Sequence, residues 1–84
     1  MYEISFMKQA EDFLKRLDKQ NQERISKKID ELKQNPKLGD PLLGRLSGLW
    51  KLRIGDYRAI YKIIKEKVLI VILKLGHRKN VYDI

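Results

Sequence analysis

Two short segments in the second half of the chain concentrate side chains that can handle a phosphate group. The first segment, residues 50–61, alternates apolar and polar residues on both sides of Gly55-Asp56. Period-2 alternation around a two-residue Gly-Asp break predicts a β-hairpin. The second segment, residues 77–82, follows an apolar run and ends in a tyrosine. Together the two segments contribute the candidate residues Lys51, Arg53, Arg58, His77, Arg78, Lys79 and Tyr82.

The predicted hairpin sets like charges against each other. If Gly55-Asp56 is the whole turn, Arg53 and Arg58 stand directly opposite, and Lys51 shares their face. Like charges opposed across strands destabilise a sheet. A hairpin that keeps them favours an anionic partner, and arginine suits phosphate because its guanidinium forms bidentate charged hydrogen bonds. The structural alternative is a solvated basic face or the guard of an edge strand.

The last two predicted strands are adjacent in sequence, and their pairing would bring His77 and Arg78 close to Arg53 and Arg58. Such a cluster could bind a phosphodiester, and it could also cleave RNA without a metal. A 2′-hydroxyl that attacks its own phosphate needs a base, a stabiliser of the developing charge and a proton donor for the leaving oxygen. Arginines supply the charge, and Tyr82 or His77 could move protons, since nearby cations favour the tyrosine anion. Composition alone supports binding better than catalysis.

Other catalytic templates are not met by this sequence. One histidine and no cysteine argue against two-histidine RNA cleavage and against a zinc site. The basic half has only Asp56, Glu66 and Asp83 as acids, too few for a two-metal phosphoryl-transfer site. The string Gly44-Arg-Leu-Ser-Gly48 lacks the spacing of a phosphate-binding P-loop. We therefore expect neither a metal nor a cofactor.

Charge is distributed unevenly along the 84 residues. Residues 1–48 carry 10 Lys and Arg against 8 Asp and Glu, whereas residues 49–84 carry 9 against 3, so the net charges are +2 and +6. This asymmetry favours a nucleic acid, an anionic membrane or an acidic protein as partner. The length predicts a single domain, residues 1–84. With no signal peptide, no membrane-length apolar run and no cysteine, we expect a cytoplasmic protein without membrane contact.

The first part of the chain predicts a strand followed by a helical hairpin. Alternating apolar residues over residues 2–6 indicate a strand, and Ser5 could cap the helix that follows. Apolar residues at helical spacing predict one helix over residues 7–17 and a second that ends at Asn35-Pro36. The second helix ends there because the residue before a proline avoids helical geometry.

The remainder predicts a loop and an antiparallel three-stranded meander, which completes an α+β fold with the helices on one face of the sheet. Strands are expected at residues 49–54, 57–64 and 68–75, and Gly76 ends the sheet. The loop, residues 36–48, is long enough to be functional, and its Arg45 is a further candidate phosphate contact. The leucines expected to pin this loop to the core are Leu38, Leu42, Leu43 and Leu46.

The strings from Leu46 to Tyr61 and from Gly76 to Tyr82 closely resemble the RelE/ParE toxin superfamily, and the second string resembles the RelE branch. The resemblance covers essentially the whole chain. It implies a small microbial-ribonuclease-like fold and the toxin of a type II toxin–antitoxin pair. It further implies a metal-independent endoribonuclease that cuts mRNA in the ribosomal A site and stops translation. An acidic RelB-like antitoxin, partly disordered when alone, would cover the basic site.

The same resemblance implies roles for individual residues. Arg58 and Arg78 would hold the scissile phosphate and stabilise its transition state, and Arg78 could also protonate the leaving oxygen. Tyr82 would activate the 2′-hydroxyl, with Lys51 lowering its pKa. Arg53 would contact a backbone phosphate. Apart from the resemblance, the basic character of His77, Lys79 and Arg45 makes them further expected contacts to RNA phosphates.

Two alternatives stay open. The superfamily also includes ParE-like inhibitors of DNA gyrase, and a basic face of this kind could serve a non-catalytic binding module. The chain departs from some active RelE-type members at Leu49, where those members carry a second lysine two residues before the one that matches Lys51.

Overall fold

The computed structural model describes residues 1–79. Its helices and strands are β1 (Glu3–Phe6), α1 (Lys8–Arg16), α2 (Lys19–Asp30), β2 (Asp40–Pro41), β3 (Trp50–Ile54), β4 (Tyr57–Ile64) and β5 (Leu69–His77). The strands form one sheet in the order β1-β5-β4-β3-β2, in which β1 runs parallel to β5 and the other neighbours are antiparallel. The predicted order of a strand, two helices and a meander is confirmed. The sheet gains a short fifth strand, β2, inside the segment predicted to be only a loop.

Both helices bury a narrow apolar stripe against the sheet. Ala10 in α1 and Ile25 and Ile29 in α2 are buried, as the helical spacing predicts. The helix start was predicted less well. Met7 is the N-cap residue of α1, and Ser5 lies inside β1, so the expectation that Ser5 caps this helix is wrong. Within residues 1–79 no helix is long and apolar enough to cross a membrane.

One face of the sheet carries the core. Side chains alternate between the two faces of a strand, so one apolar set from β1, β3, β4 and β5 meets the helices. The intervening side chains, which include the buried Ile60, lie on the opposite face. The buried sheet residues of the core are Leu52, Ile54, Ala59, Tyr61, Ile70, Ile72 and Leu75.

β5 starts and ends later than predicted. Val68 has a left-handed backbone with φ of 50° at the end of the preceding turn, so the strand begins at the next residue. At the other end the strand continues to His77, because Gly76 pairs with Arg58 instead of ending the sheet.

A β-bulge interrupts the pairing of β4 with β5. Ile60 pairs with Lys74 and Tyr61 pairs with Ile72, which leaves Leu73 without an opposite residue. The extra residue resets the alternation of side chains beyond it. Ile72 and Leu75 are three residues apart, yet both belong to the core.

Tyr61 anchors the loop before β3 to the core. Its buried hydroxyl donates a hydrogen bond of 2.7 Å to the Pro36 carbonyl and accepts one of 3.0 Å from the Gly39 N–H. Gly39 is required because a Cβ at this position would collide with the Lys51 carbonyl. Among the loop leucines, Leu38 packs against the core as predicted.

Leu43 does not pin the loop. Its side chain is 84% exposed, so the prediction for this residue is wrong. The loop is held instead by backbone hydrogen bonds, such as the 2.9 Å bond from the Leu42 N–H to the Leu49 carbonyl, and by the tyrosine hydroxyl. Polar groups of the backbone therefore replace an apolar contact that the leucine pattern suggested.

Replacing Tyr61 with Phe should lower the free energy of unfolding by about 1–3 kcal/mol, because a partly buried N–H and a partly buried carbonyl each lose a partner. Burial raises the pKa of the Tyr61 phenol. The hydrogen bond from the Gly39 N–H lowers this pKa, and the negative charge of Asp40 raises it. Because the pKa is raised in the folded protein, the neutral phenol contributes its full stabilisation below the ordinary tyrosine pKa of about 10. This contribution is lost as the pH rises through the raised pKa of the folded state.

The measurement is chemical denaturation of wild type and Tyr61→Phe at pH 7 and above pH 10, with Tyr2→Phe as the matched control. Tyr2 also packs against the core, but no hydrogen bond within residues 1–79 involves its hydroxyl. We expect the gap between wild type and Tyr61→Phe to narrow at high pH. Equal stability of the two variants at pH 7 would contradict the anchoring role.

Candidate nucleic-acid interface

The predicted hairpin supplies the first part of the site. Arg53 of β3 and Arg58 of β4 are directly opposite in the register, and Lys51 lies on the same face. Gly55 has a φ of 59° in the turn, a conformation that glycine adopts without steric cost. The prediction of two arginines opposed on one face of the sheet is therefore confirmed.

β5 adds to this row on the other side of Arg58. Gly76 pairs with Arg58, so the three strands place Arg53, Arg58 and a bare glycine side by side. Arg53 is exposed, whereas Arg58 is half-buried. We refer to the sheet face that carries Lys51, Arg53 and Arg58 as the basic face.

The bulge at Leu73 brings a further cation to the basic face. Without the extra residue, Lys74 would follow Ile72 on the core side of the sheet. With it, Lys74 pairs with Ile60, which lies between Lys51 and Lys74 in the register. The sequence prediction missed Lys74 because it treated this strand as one continuous apolar run. The available signal was the lysine itself, which stands at a position that strict alternation would bury.

The end of β5 reaches the hairpin turn, as predicted. The Arg78 N–H donates a hydrogen bond of 3.0 Å to the Asp56 carbonyl. This bond holds the backbone of Arg78 beside the turn that follows Arg53. Lys79 is exposed next to it. The predicted approach of Arg78 to the arginine pair is therefore supported by backbone pairing.

His77 departs from the predicted cluster. It pairs with Tyr57, and the two ring centroids lie 5.0 Å apart. Phe13 of α1 contacts both rings, so His77 lies on the helix side of the sheet and not on the basic face. The physical reason is the alternation of side chains, which sends neighbours along a strand to opposite faces.

The other candidate residues stand apart from this arrangement. Arg45 is exposed in the short helical turn Gly44–Leu46 of the loop before β3. Tyr82 lies outside the described residues, so its role remains a prediction. Within residues 1–79 no three His, Asp or Glu side chains come close enough together to hold a metal ion.

Ion pairs are concentrated away from the hairpin. The four ion pairs within residues 1–79 join side chains of α1, α2 and the turn that follows α2. None of them includes Lys51 or Arg53. The helical half thus neutralises many of its own charges.

Gln9 of α1 holds the end of β5, just before Arg78. β1 pairs with β5 only as far as Ile72, where the Met7 N–H donates to the Ile72 carbonyl. Beyond that point the Gln9 carboxamide takes the place of a strand. Its Nε2 donates to the Leu75 carbonyl and its Oε1 accepts from the Leu75 N–H, both at 3.0 Å.

Replacing Gln9 with Leu should loosen this end of β5. Loss of a hydrogen bond is worth about 0.5–1.5 kcal/mol, so amide exchange at Leu75 should accelerate by about 2- to 10-fold. Gln22→Leu is the matched control, since the Gln22 side chain bonds the Leu14 and Lys15 carbonyls and does not reach the sheet. Native-state hydrogen exchange measures the effect, and equal acceleration at Leu75 in both variants would contradict it.

Removing one arginine of the opposed pair should stabilise the free protein. Opposed like charges cost about 0.2–1 kcal/mol, so Arg53→Thr should raise the free energy of unfolding by that amount at low salt. The gain should shrink as salt screens the charges. Lys62→Thr is the control, because Lys62 is exposed in β4 opposite the uncharged Val71. An equal gain in both variants would show that threonine propensity, and not charge relief, is responsible.

Comparisons with known proteins place this arrangement in a family. The sequence profile described as "ParE toxin of type II toxin-antitoxin system, parDE" matches residues 4–82. The mRNA interferase toxin RelE of Escherichia coli K12 is 28% identical over 81 residues, which cover 94% of this chain and 85% of that protein.

Solved structures agree with the sequence comparisons. The toxin–antitoxin complex RelBE2 of Mycobacterium tuberculosis contains a chain with a TM-score of 0.83 and 30% identity, covering 92% of this chain and 98% of that one. The isolated RelE toxin of E. coli has a TM-score of 0.80 and 25% identity, covering 92% and 84%. The chain therefore belongs to the ParE toxin family of type II toxin–antitoxin systems, within the RelE/ParE superfamily.

Proposed function

We propose that this toxin is a RelE-type endoribonuclease that cleaves mRNA in the ribosomal A site and so stops translation. The observation that supports the proposal best is the row formed by Arg53, Arg58 and Gly76, with Arg78 bonded to the turn at the same end of the sheet. The name of the E. coli relative, an mRNA interferase toxin, points to the same activity.

The proposed reaction is an attack of the 2′-hydroxyl on the adjacent phosphorus. The bond from phosphorus to the 5′-oxygen of the next nucleotide breaks, which leaves a cyclic phosphate and a free 5′-hydroxyl. Arg58 and Arg78 hold the phosphate oxygens and stabilise the charge that develops on them. Arg53 contacts a neighbouring phosphate and fixes the position of the strand.

The proton transfers are assigned to two groups. Tyr82 takes the proton of the 2′-hydroxyl, and Lys51 favours its ionised form because a nearby cation lowers the pKa of a phenol. Arg78 delivers a proton to the leaving oxygen. Fixed cations supply the charge stabilisation that a metal would otherwise provide, so the proposed reaction is metal-independent.

The proposed protein partner is an acidic RelB-like antitoxin. The M. tuberculosis neighbour was solved as a toxin–antitoxin complex, and the positive charge of this chain is concentrated on its sheet-forming half. An acidic segment laid over Lys51 and Arg53 would neutralise the charges that the helical ion pairs leave available. It would also exclude RNA, and in this proposal both events take place in the cytoplasm.

The experiment is primer extension on mRNA from a translating extract after addition of the purified toxin. Arg58→Ala and Arg78→Ala should each lower the cleavage rate by about 10²- to 10³-fold, the range for loss of one group that stabilises transition-state charge. Arg16→Ala removes an equal charge from the exposed end of α1 and should cleave like wild type. Intact transcripts with the wild-type protein would contradict the proposal.

Inhibition of DNA gyrase is the second candidate, and the match to a profile named for ParE favours it. A supercoiling assay with purified gyrase separates the two functions. Inhibition of supercoiling without cleaved mRNA would support a ParE-like activity. Cleaved mRNA with unaffected gyrase would support the endoribonuclease.

A further inference from the structure

A cavity lies at the hairpin turn, on the side away from the basic face. It has a volume of about 470 Å³ and is lined by Asp56, Tyr57, His77, Arg78 and Lys79. We propose that this cavity binds a nucleobase of the cleaved RNA strand, stacked on His77, and that Asp56 disfavours uracil there. The proposal rests on the proposed function and adds to it a base-binding subsite.

An ordered stack of rings forms one wall of the cavity. The Tyr57 and His77 centroids are 5.0 Å apart with 33° between the ring planes. Phe13 meets both rings edge-on, at 6.0 Å from Tyr57 and 6.3 Å from His77. These separations are typical of favourable aromatic pairs. The packing against α1 therefore holds the two cavity rings in a defined orientation.

The exposure of the rings decides where a base can bind. Tyr57 is half-buried, whereas His77 is exposed. A planar group can therefore continue the stack on the outer side of the imidazole. Proteins that recognise single-stranded RNA commonly stack unpaired bases on such rings, including histidine.

The cavity is continuous with the phosphate-binding residues. Arg78 lines it and is also the proposed contact of the scissile phosphate, and Lys79 adds a second cation. A strand whose phosphate lies at Arg78 can place an adjacent base on His77 without leaving the protein surface. The same end of the sheet thus offers charge on one side of the turn and an aromatic platform on the other.

Asp56 gives the cavity a means to discriminate between bases. Its backbone carbonyl accepts the Arg78 N–H, but within residues 1–79 no hydrogen bond or ion pair involves its carboxylate. A carboxylate only accepts hydrogen bonds. It suits the amino groups of adenine, cytosine and guanine, whereas the single N–H of uracil lies between two carbonyl oxygens that repel it.

The first test measures base binding directly. A short RNA with 2-aminopurine next to a 2′-deoxy linkage cannot be cleaved, and stacking of the probe quenches its fluorescence. We expect quenching by the wild type and by His77→Phe, which keeps a flat ring. His77→Ala should lose the quenching and bind about 5- to 100-fold more weakly, as expected for the loss of one stacked base. Equal binding and quenching by His77→Ala would overturn the proposal.

The second test maps the bases around each cleavage site by sequencing the 5′ ends of the products. Asp56→Asn replaces an acceptor with a group that also donates, so the fraction of sites with uracil at one fixed position should rise by about fivefold or more. Glu66→Gln is the matched control in the opposite turn, Lys65–Lys67, and should keep the wild-type pattern. Identical patterns for the two variants would overturn the selectivity.

The two tests separate failure of this inference from failure of the proposed function. If the wild type cleaves no mRNA, the proposed function fails, while the fluorescence measurement still decides whether the cavity binds a base. If His77→Ala weakens binding to ribosomes but changes neither quenching nor the cleavage pattern, the stacked base belongs to ribosomal RNA. That outcome counts against a subsite for the cleaved strand.

Discussion

The pairing of β4 with β5 is the interaction on which both the core and the basic face depend. This ladder joins the hairpin to the strand that precedes Arg78, and it contains the one-residue bulge at Leu73. Because alternation assigns each strand residue to one of two faces, a single extra residue exchanges the faces of everything beyond it. Here the exchange keeps Leu75 in the core and moves Lys74 to the basic face. A lysine that strict alternation would bury therefore lies on the same face as Lys51, Arg53 and Arg58.

Repulsion between the cations of the basic face is offset by the stability that the rest of the fold provides. Arg53 and Arg58 are opposed in the register, an arrangement that costs stability in the free protein. The buried side of the same strands offsets this cost, since apolar burial is the dominant stabilising contribution in small domains. The loop before β3 is tied to that core through the Tyr61 hydroxyl. In the proposed function, a bound phosphate or an acidic antitoxin segment would relieve the repulsion between these arginines.

Two sets of polar contacts fix the position of the end of β5. The Gln9 carboxamide substitutes for a strand where β1 has ended, and the Asp56 carbonyl receives the Arg78 N–H. Together they place the last residues of β5 without requiring further apolar contacts. The consequence is a turn with two different sides, cationic toward the basic face and aromatic toward α1. The proposed phosphate contacts Arg53 and Arg58 and the proposed base contact His77 therefore lie on different sides of the turn.

The sequence by itself determined the parts of this protein that depend on neighbours along the chain. Alternation around Gly55 predicts the hairpin, its faces and the opposed arginines, and helical spacing predicts both helices, because these patterns have fixed periods. The uneven charge and the two motifs were enough to indicate the superfamily. Only the tertiary structure decided the bulge at Leu73, the side of the sheet on which His77 lies, and the partners of Gln9 and Tyr61. These features arise from pairing between residues distant in sequence, where one added residue or one buried polar group shifts the outcome, and no local period encodes that choice.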